Sequence, residues 1–542
     1  MFTRKICILM QNLRKTQFLV VSFTVAALLP FLNRAFHVDD PLFIWIARQI
    51  VKHPSDPYGF NLNWVSFTQP MSIVMQNPPL CSYYIAAVAI VSGWSERSLH
   101  LAFLVWAVLS VLGTFAIARR FCRGPVYATL LTLFTPAFLV SATSVMCDVM
   151  MLAFWVWALE FWLAGLDRQQ SWRFLVSALL ISAAALTKYF GITLVPLLAV
   201  YTLARTRRFA LPLVFLLIPI AVLSNYDFFT EQQYGHGLFS AATTVSSAIS
   251  SVTRPSHLAQ LLIGLAFTGG CFFSAIFFWP LFEKRLFLLA ATLTAAFTVA
   301  FKFFIISWVY LETSEAVVSL QGGLFAAIGT IFLVLAIFDL IQHKNTDSLL
   351  LLLWIFGTFF FATFFNWSIT ARTLLPMTPA VVILTIRQFE RQNAGHFPRW
   401  RILPAAISSL VIVSADYQQA NCGRTASHFF EQRYRNEPHT TWFQDHWGFQ
   451  YYMEQWGAKV FDRQNPRLEH RDMIVGPFSD VTPIPVSAGE VLSHDEWKFR
   501  RLPYVSTSAL GSGASFYSSF GGPLPWVVNK IPPERYYSLQ LR

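Results

Sequence analysis

The chain has 542 residues, of which 55% are hydrophobic and 13% are charged, and its formal net charge is +12. Its strongly positive mean hydropathy is typical of a polytopic membrane protein and excludes a soluble enzyme with a large core. The positive charge is no nucleic-acid signal, because many basic residues lie in short loops between apolar runs, where they orient a membrane protein. The six cysteines are scattered, and their spacing suggests neither a disulfide framework nor a zinc site.

The first apolar run, 17–36, follows a basic N-terminus that could be mistaken for a signal peptide. The run is long enough to span a bilayer and lacks a convincing small-residue cleavage site. We therefore predict a retained membrane anchor.

Thirteen apolar runs are suited to crossing a membrane. They are 17–36, 98–118, 125–141, 146–166, 172–187, 189–204, 209–225, 257–281, 286–305, 321–342, 347–365, 371–387 and 401–415. Several are shorter than the roughly 20 residues that a span needs, so their ends are approximate. A further run, 79–94, is short and starts with a proline.

The basic loops predict whether 79–94 crosses. If the N-terminus is inside and 79–94 does not cross, the inside loops hold Arg119, Arg120, Arg123, Arg168, Arg173, Arg205, Arg207, Arg208, Lys284, Arg285, Lys344, Arg387, Arg391, Arg399 and Arg401. The short outside loops then hold little beyond Lys188, Arg254 and Arg372. The positive-inside rule therefore predicts that 79–94 lies along, or dips into, the outer interface and that the tail is outside.

This topology brings opposite charges to one depth. Asp39, Asp40, Asp148, Lys188 and Arg372 all fall at the outer face. Charge beside hydrocarbon is costly, so an acid pair at the mouth of a helix predicts a site. The convergence indicates a site that binds an anionic group and performs acid–base chemistry.

The first outer loop, 37–97, begins with a segment that predicts a helix on the membrane surface, 39–53. Pro41 suits the first turn of this helix, and Asp39 or Asp40 is suited to cap it. Apolar side chains along the segment would contact the interface. The alternative is that the two acids are only helix caps.

Three further residues have both a functional and a structural interpretation. Asp148 opens the fourth span, where an acid also satisfies helix-start donors. Lys188 lies between two spans against the positive-inside trend, although its side chain could simply snorkel to the interface. Arg372 lies at the outer end of a span, where a guanidinium can hold phosphate in a bidentate fork.

Five short elements occur in a familiar order. They are Asp39-Asp40 with Ala47-Arg48, Pro78-Pro79-Leu80 with an offset Tyr83-Tyr84, Asp148, Leu186-Thr187-Lys188, and the stretch from Arg372 to Pro379. This order resembles the polyprenyl-phosphate-sugar-dependent glycosyltransferases of the C-type fold, which include the protein O-mannosyltransferases and the lipid A aminoarabinose transferases. The resemblance extends over about residues 17–390.

The chain also departs from that family. Asp40 stands where relatives commonly have Glu, and Thr373 replaces the usual Tyr after the arginine. Asn77 precedes the double proline where the aminoarabinose transferases carry Lys. The missing lysine shifts more of the expected donor-phosphate contact to Lys188 and Arg372.

The resemblance implies an enzyme that transfers a hexosyl or pentosyl group, with inversion, from a polyprenyl phosphate to an acceptor hydroxyl. It implies Asp39 as general base, with Asp40 and Asp148 positioning hydroxyl groups. The remaining predicted contacts are Lys188, Arg372 and Arg48 with the donor phosphate, and Tyr83, Tyr84, His446 and Trp447 with the acceptor.

The resemblance argues against an obligatory cofactor. Mg²⁺ or Mn²⁺ held by His37, Asp39 and Asp40 is the alternative, because hard cations prefer oxygen ligands. The expected partners are the lipid-linked sugar, an acceptor lipid, glycan or protein, and the membrane, with no nucleic acid. The expected location is the cytoplasmic (inner) membrane, with the site on the periplasmic side.

We predict two domains in a polytopic all-α membrane protein of about thirteen transmembrane helices. Residues 1–416 form the transmembrane domain with the large outer loop 37–97, and 417–542 form a small extracytoplasmic α/β domain. The tail shows an aromatic helix-like stretch, 442–452, and a strand-like run, 473–475. Its aromatic residues either stack on acceptor sugars or pack a small core.

Two rival functions come from other classes. A lipid-linked glycan flippase would use outer-face charges as gate residues, but a transporter is expected to show internal repeats and polar groups near the bilayer midplane. The chain shows no clear repeat, and its charges concentrate at one face. A catalytically inactive scaffold would have no need of the acid pair together with Lys188 and Arg372.

Overall fold

A computed structural model describes residues 2–207, 211–244, 256–279, 284–393, 397–464, 467–479 and 487–542. Two of the loop arginines used to orient the chain, Arg208 and Arg254, lie outside these residues. So does the beginning of the predicted span 209–225.

The described chain is mainly helical. The helices are α1 Phe2–Leu28, α2 Asp40–Lys52, α3 Met71–Val74, α4 Leu80–Ser92, α5 Glu96–Phe121, α6 Pro125–Leu133, α7 Pro136–Ser141, α8 Cys147–Arg168, α9 Ser171–Thr187, α10 Leu194–Thr206, α11 Leu217–Tyr234, α12 His257–Cys271, α13 Lys284–Phe304, α14 Glu315–His343, α15 Thr346–Phe360, α16 Ala371–Leu374, α17 Thr378–Gln392, α18 Ile402–Tyr434 and α19 Trp447–Gln455. All thirteen predicted apolar runs contain helix.

In the part of the chain that the structure describes, seven helical segments are long and apolar enough to cross a membrane. Three shorter apolar helices, α4, α9 and α12, accompany them. The chain is therefore a multi-pass membrane protein, and the number of thirteen crossings stays a prediction.

The helix predicted after the first span, 39–53, is present as α2, but the predicted contact of its apolar side chains with the membrane interface is wrong for those that are buried. Pro41 occupies its first turn, and the side chain of Asp39 at the N-cap makes no capping hydrogen bond. The helix buries Leu42, Phe43 and Ile46, so its apolar face is covered by protein. It packs against α4, the helix formed by the predicted interfacial run 79–94.

Prolines break two apolar runs close to the predicted site. Run 125–141 divides into α6 and α7 at Pro136, because proline cannot donate the backbone hydrogen bond that would continue the helix. Run 371–387 likewise begins with the single turn of α16, followed by a 3₁₀ turn at Leu375–Met377 that contains Pro376. Each break starts a new helix, α7 at Pro136 and α17 at Thr378.

The C-terminal region contains a five-stranded mixed sheet. Its strands are β3 Thr441–Phe443, β4 Lys459–Val460, β5 Met473–Pro477, β6 Val491–Phe499 and β9 Glu534–Leu541, in the order β4-β3-β5-β9-β6. The predicted strand 473–475 lies at its centre, and α19 packs against α18. Two further pairs are β1 Asn61–Asn63 with β2 Thr68–Pro70, and β7 Val505–Ser506 with β8 Val527–Val528.

The tail returns to the helical core. Helix α18 continues through the predicted domain boundary at residue 416. Between β6 and β9, the chain leaves the sheet, and residues 505–531, here called the return segment, bury Phe516, Tyr517 and Trp526 in the main hydrophobic core. Nε1 of Trp526 donates to the carbonyl of Gly270 in α12 at 2.8 Å.

Candidate active site

Four charged side chains from separate elements form one chain of ion pairs. Nη2 of Arg372 lies 2.8 Å from Oδ2 of Asp39. Nη1 of the same guanidinium lies 3.8 Å from Oδ2 of Asp148. Nζ of Lys188 lies 2.6 Å from Oδ1 of Asp148. The structure thus brings together four of the five charged residues that the topology placed at one depth.

Local structure holds each of these four residues at a helix end. Asp148 is in the first turn of α8, and Lys188 follows the last turn of α9 in an extended conformation. Arg372 is in α16, whose N-terminus is capped by Oγ1 of Thr370 accepting from the amide of Thr373 at 2.9 Å. Asp39 is at the N-terminus of α2.

Exposure differs along this chain of charges. The side chain of Asp148 is 1% exposed, that of Arg372 14%, that of Lys188 21% and that of Asp39 28%. The two cations balance the two carboxylates, so the burial of Asp148 is compensated by opposite charge. Asp39 is the carboxylate most accessible to a ligand.

The ion pairs leave hydrogen-bonding capacity unused. Among the described residues, buried Oδ2 of Asp148 and buried Nε of Arg372 find no hydrogen-bond partner. Buried polar atoms are seldom left unpaired, so such atoms call for an explanation such as a ligand or water. The first atom can accept a hydrogen bond and the second can donate one, although Oδ2 of Asp148 also lies 3.8 Å from Nη1 of Arg372.

Asp40, the neighbour of Asp39 in the sequence, is fully buried and is not part of the series of ion pairs that links Asp39 to Lys188. Its Oδ2 accepts from the amide of His37 at 2.9 Å, and its Oδ1 accepts from the amide of Val145 at 2.8 Å. Burial raises the pKa of the Asp40 carboxyl to about 6, against the opposing effect of the nearby Arg34 guanidinium. Asp40 thus ties the turn that carries Asp39 to the turn that enters α8.

A second charge network, missed by the sequence reasoning, surrounds Arg34. This fully buried guanidinium lies 3.4 Å from Asp40 and 2.8 Å from Asp416, and it donates to the Tyr517 hydroxyl at 2.9 Å. It also donates to the carbonyl of Thr143 at 3.3 Å. The available sequence signal was a charge inside an apolar run, which is costly unless paired.

Three predicted contacts lie in other surroundings. Nη2 of Arg48 donates to the Tyr451 hydroxyl at 3.0 Å, and its guanidinium stacks over Trp94 at 5.4 Å. The Tyr83 hydroxyl donates to the carbonyl of Pro54, and the Tyr84 hydroxyl donates to that of Ala102. Their predicted substrate contacts stay predictions.

His446 and Trp447 lie where the tail meets the first loop. The His446 ring is buried 4.9 Å from the ring of Trp64, and burial lowers the pKa of His446 to about 4. Asp445 and Trp447 have φ angles of 92° and 62°, which are strained for residues with side chains. Their predicted contact with an acceptor also stays a prediction.

Among the described residues, no group of three or more His, Cys, Asp or Glu side chains is arranged to hold an ion. At the suggested set of His37, Asp39 and Asp40, both oxygens of Asp40 accept backbone amides, and Arg34 adds a positive charge beside them. This donor set does not fit a divalent cation.

Comparison with known proteins identifies what the chain resembles. Residues 76–225 match the family model of the dolichyl-phosphate-mannose-protein mannosyltransferases. ArnT from Cupriavidus metallidurans, bound to undecaprenyl phosphate, is similar at 15% identity and a TM-score of 0.45 over 85% of this chain and 93% of that one. AglB from Archaeoglobus fulgidus, an oligosaccharyltransferase in complex with an inhibitory peptide and a dolichol-phosphate, is also similar. Its sequence identity is 15% and its TM-score 0.44, over 84% of this chain and 62% of that one. No curated protein matches the chain.

The range matched by the family model contains Asp148 and Lys188, and it ends before Arg372. The likeness predicted from the short motifs is thereby confirmed for this part of the chain. The protein resembles the polyprenyl-phosphate-sugar-dependent glycosyltransferases, membrane enzymes that include the protein O-mannosyltransferases.

Proposed function

We propose that the protein transfers a sugar from a polyprenyl-phosphate donor to an acceptor hydroxyl, with inversion, at the outer face of the cytoplasmic membrane. The observation that carries this proposal is the series of ion pairs from Asp39 through Arg372 and Asp148 to Lys188. Within it, Nε of Arg372 and Oδ2 of Asp148 have no hydrogen-bond partner among the described residues. The match to a mannosyltransferase family model supports sugar transfer from a lipid phosphate.

Lys188 and Arg372 are proposed to hold the donor phosphate. When the anomeric C–O bond breaks, its electron pair moves to the phosphate oxygen, and the lipid phosphate gains negative charge. Two fixed cations stabilise this charge more strongly in the transition state than in the bound donor, which is the condition for accelerating the reaction. The Arg372 guanidinium, which is 14% exposed, is the part of this pair of cations that a phosphate would share with Asp39.

Asp39 is proposed as the general base. The acceptor oxygen attacks the anomeric carbon while its proton moves to a carboxylate oxygen of Asp39. The 28% exposure of this side chain supports the role, since a base must reach the acceptor. A phosphate that binds Arg372 would compete with Asp39 for the guanidinium and so release the carboxylate for proton transfer.

Asp148 and Asp40 are assigned different tasks. Oδ2 of Asp148 has no hydrogen-bond partner among the described residues and is suited to accept a hydrogen bond from a sugar hydroxyl. Asp40 was predicted to contact hydroxyls directly, but its oxygens are occupied by backbone amides, which favours a role in holding Asp39 and the entry of α8. Arg48, Tyr83, Tyr84, His446 and Trp447 are retained as proposed contacts for parts of the substrates farther from the anomeric carbon.

The proposal includes the C-type fold with thirteen crossings, which places the charged site and the tail on the periplasmic side. It requires no metal cofactor. The acceptor is a lipid, glycan or protein hydroxyl, and the sugar is a hexose or pentose.

The test is a survey of donors in membranes that contain the wild-type chain or none. Radiolabelled sugars on undecaprenyl or decaprenyl phosphate are supplied, and labelled product is separated from donor. Product that depends on the chain supports transfer, and its analysis identifies the acceptor. Absence of product from every donor, with a fluorescent lipid-linked glycan crossing the vesicle bilayer, would overturn the proposal in favour of a flippase.

A further inference from the structure

The return segment reaches both charge networks through one side chain, Tyr517. Its hydroxyl accepts from Nη2 of Arg34 at 2.9 Å and lies 3.0 Å and 3.1 Å from the two carboxylate oxygens of Asp416. The guanidinium of Arg372 lies over the face of its ring, 5.5 Å from the centroid. The ring of His37 meets it edge-on at 5.9 Å.

We propose that Tyr517 and Asp416 are positioning residues of the transfer site. They hold Arg34 against Asp40, and the Tyr517 ring holds the guanidinium of Arg372. The inference rests on the proposed function, and it makes the C-terminal region part of the site rather than a separate acceptor module.

The hydrogen-bond directions fix the arrangement around Asp416. The Tyr517 hydroxyl has one proton, which it donates to Asp416, so its lone pairs are left to accept from Arg34. Oγ1 of Thr507 donates to Oδ1 of Asp416 at 2.9 Å. The carboxylate therefore receives a guanidinium and two hydroxyls, which satisfies a charge that is fully buried.

Backbone contacts place the return segment beside α16. The amide of Ala371 donates to the carbonyl of Phe516 at 3.0 Å, so the residues before Arg372 and before Tyr517 are bonded to each other. The amide of Ser519 donates to the carbonyl of Ile369 at 2.9 Å, and the amide of Ile369 donates to Oγ of Ser519 at 3.1 Å. These three bonds set the height of Arg372 relative to Tyr517.

This arrangement gives the two parts of Tyr517 separate effects. The hydroxyl acts through Arg34 on Asp40 and on the turn that carries Asp39, so its loss is expected to lower kcat. The ring acts on Arg372, the proposed phosphate contact, so its loss is expected also to raise KM for the donor. A residue that only packs the core would lower the amount of folded enzyme without this division.

The experiment compares Tyr517→Phe and Tyr517→Leu with Tyr434→Phe as matched control. Tyr434 is a buried tyrosine of the same C-terminal region, and its hydroxyl lies 3.2 Å from Oγ of Ser538, away from both charge networks. Steady-state transfer by the purified full-length protein gives kcat and KM for the lipid-linked donor. Thr507→Val, which removes one hydrogen bond to Asp416, is a second route to the same network.

Tyr517→Phe is expected to lower kcat by roughly 10-fold with little change in KM, as expected for loss of a hydrogen bond to charged groups. Tyr517→Leu is expected to raise the donor KM by a further 2- to 5-fold or so, the size of a partly exposed cation–π contact. Thr507→Val should lower kcat in the same direction, and Tyr434→Phe should change neither constant.

The outcomes separate this inference from the proposed function. No transfer by the wild-type chain overturns the proposed function. Transfer by the wild-type chain with kcat unchanged in both Tyr517→Phe and Thr507→Val overturns the positioning role alone. If Tyr517→Leu does not fold, the two milder variants decide the matter.

Discussion

Arg372 connects the accessible and the buried carboxylate, so its replacement is the sharpest perturbation of the site. Arg372→Gln removes the 2.8 Å pair with Asp39 and the 3.8 Å approach to Asp148. Asp148 keeps its 2.6 Å contact with Lys188, so no buried carboxylate becomes wholly uncompensated. The protein is therefore expected to remain folded.

Two magnitudes distinguish stability from catalysis in this variant. Both partners of the Asp39–Arg372 pair are partly exposed, so breaking it should cost about 1 to 2 kcal/mol of folding free energy, between the values for exposed and buried pairs. Loss of one donor to a developing oxyanion typically costs about 3 to 4 kcal/mol of transition-state stabilisation, or roughly 100- to 1000-fold in kcat/KM. Arg372→Lys keeps the charge but not the fork, so it should lose only about 10-fold.

The assay is the initial rate of sugar transfer by purified wild-type protein and both variants, with thermal unfolding measured in parallel. The order wild type, then Lys, then Gln is expected, with similar unfolding transitions. If Arg372→Gln transfers sugar within about threefold of wild type, a difference of less than 1 kcal/mol, Arg372 does not stabilise the leaving phosphate.

Three further predictions follow from the same geometry. Asp40 must be ionised to pair with Arg34, and its pKa is raised to about 6, so the transfer rate should fall as pH falls through that value, whereas Asp40→Asn should show no such fall. The free energy of unfolding should respond in the opposite direction, because the folded Asp40 carboxyl binds its proton more tightly than the unfolded one. Unfolding measurements should therefore find no loss of stability from Asp40 as pH falls through about 6. A parallel loss of stability and transfer rate would contradict the role given to the ionised Asp40. Chelation with EDTA should leave transfer unchanged, because the donor set beside Arg34 does not fit a divalent cation, and recovery of a lost rate on adding Mg²⁺ or Mn²⁺ would show the opposite. Gly448→Ala places a Cβ 2.1 Å from the carbonyl oxygen of Phe36, next to the turn that carries Asp39, and should destabilise the protein by about 1 to 3 kcal/mol. Gly357→Ala is the control, because a Cβ there enters open space and should not destabilise the protein. Equal unfolding transitions of the two variants would count against the close packing of Gly448 on Phe36.

The sequence was sufficient to predict the helical elements and much of the charged site. Apolar runs and proline positions predicted the helices, including α2, which begins at the second residue of the acid pair. The placement of basic loops then grouped Asp39, Asp148, Lys188 and Arg372, and these four side chains do meet. The distribution of basic residues over all loops made this grouping predictable, because the orientation of the chain in the membrane fixes on which side each loop lies.

The second network could not be predicted in the same way. Arg34 lies 382 residues from Asp416 and 483 from Tyr517 in the sequence, and the return segment carries no motif that marks it as part of the core. Small residues and glycines around Tyr517 gave it the composition of a loop. Only the packed structure reveals that this segment runs beside α16.

Residue type alone does not indicate the surroundings of an individual side chain. Nη2 of Arg48 donates to the Tyr451 hydroxyl and the Tyr84 hydroxyl donates to a backbone carbonyl, contacts that no motif predicted. Asp40 and Asp39 are neighbours in the chain, but one is fully buried and the other 28% exposed. The start of a helix turns successive side chains by about 100°, so adjacent acids face different surroundings.

The most direct test of the account is sugar transfer by purified protein that carries Asp39→Asn. Asp495→Asn, an exposed acid on β6 away from the charged site, is the matched control. Wild type and Asp495→Asn are expected to transfer labelled sugar from the polyprenyl-phosphate donor at equal rates, with Asp39→Asn folded and slower by roughly 100-fold or more, as expected for loss of a general base. Transfer by Asp39→Asn at the wild-type rate would contradict the role of Asp39 as general base.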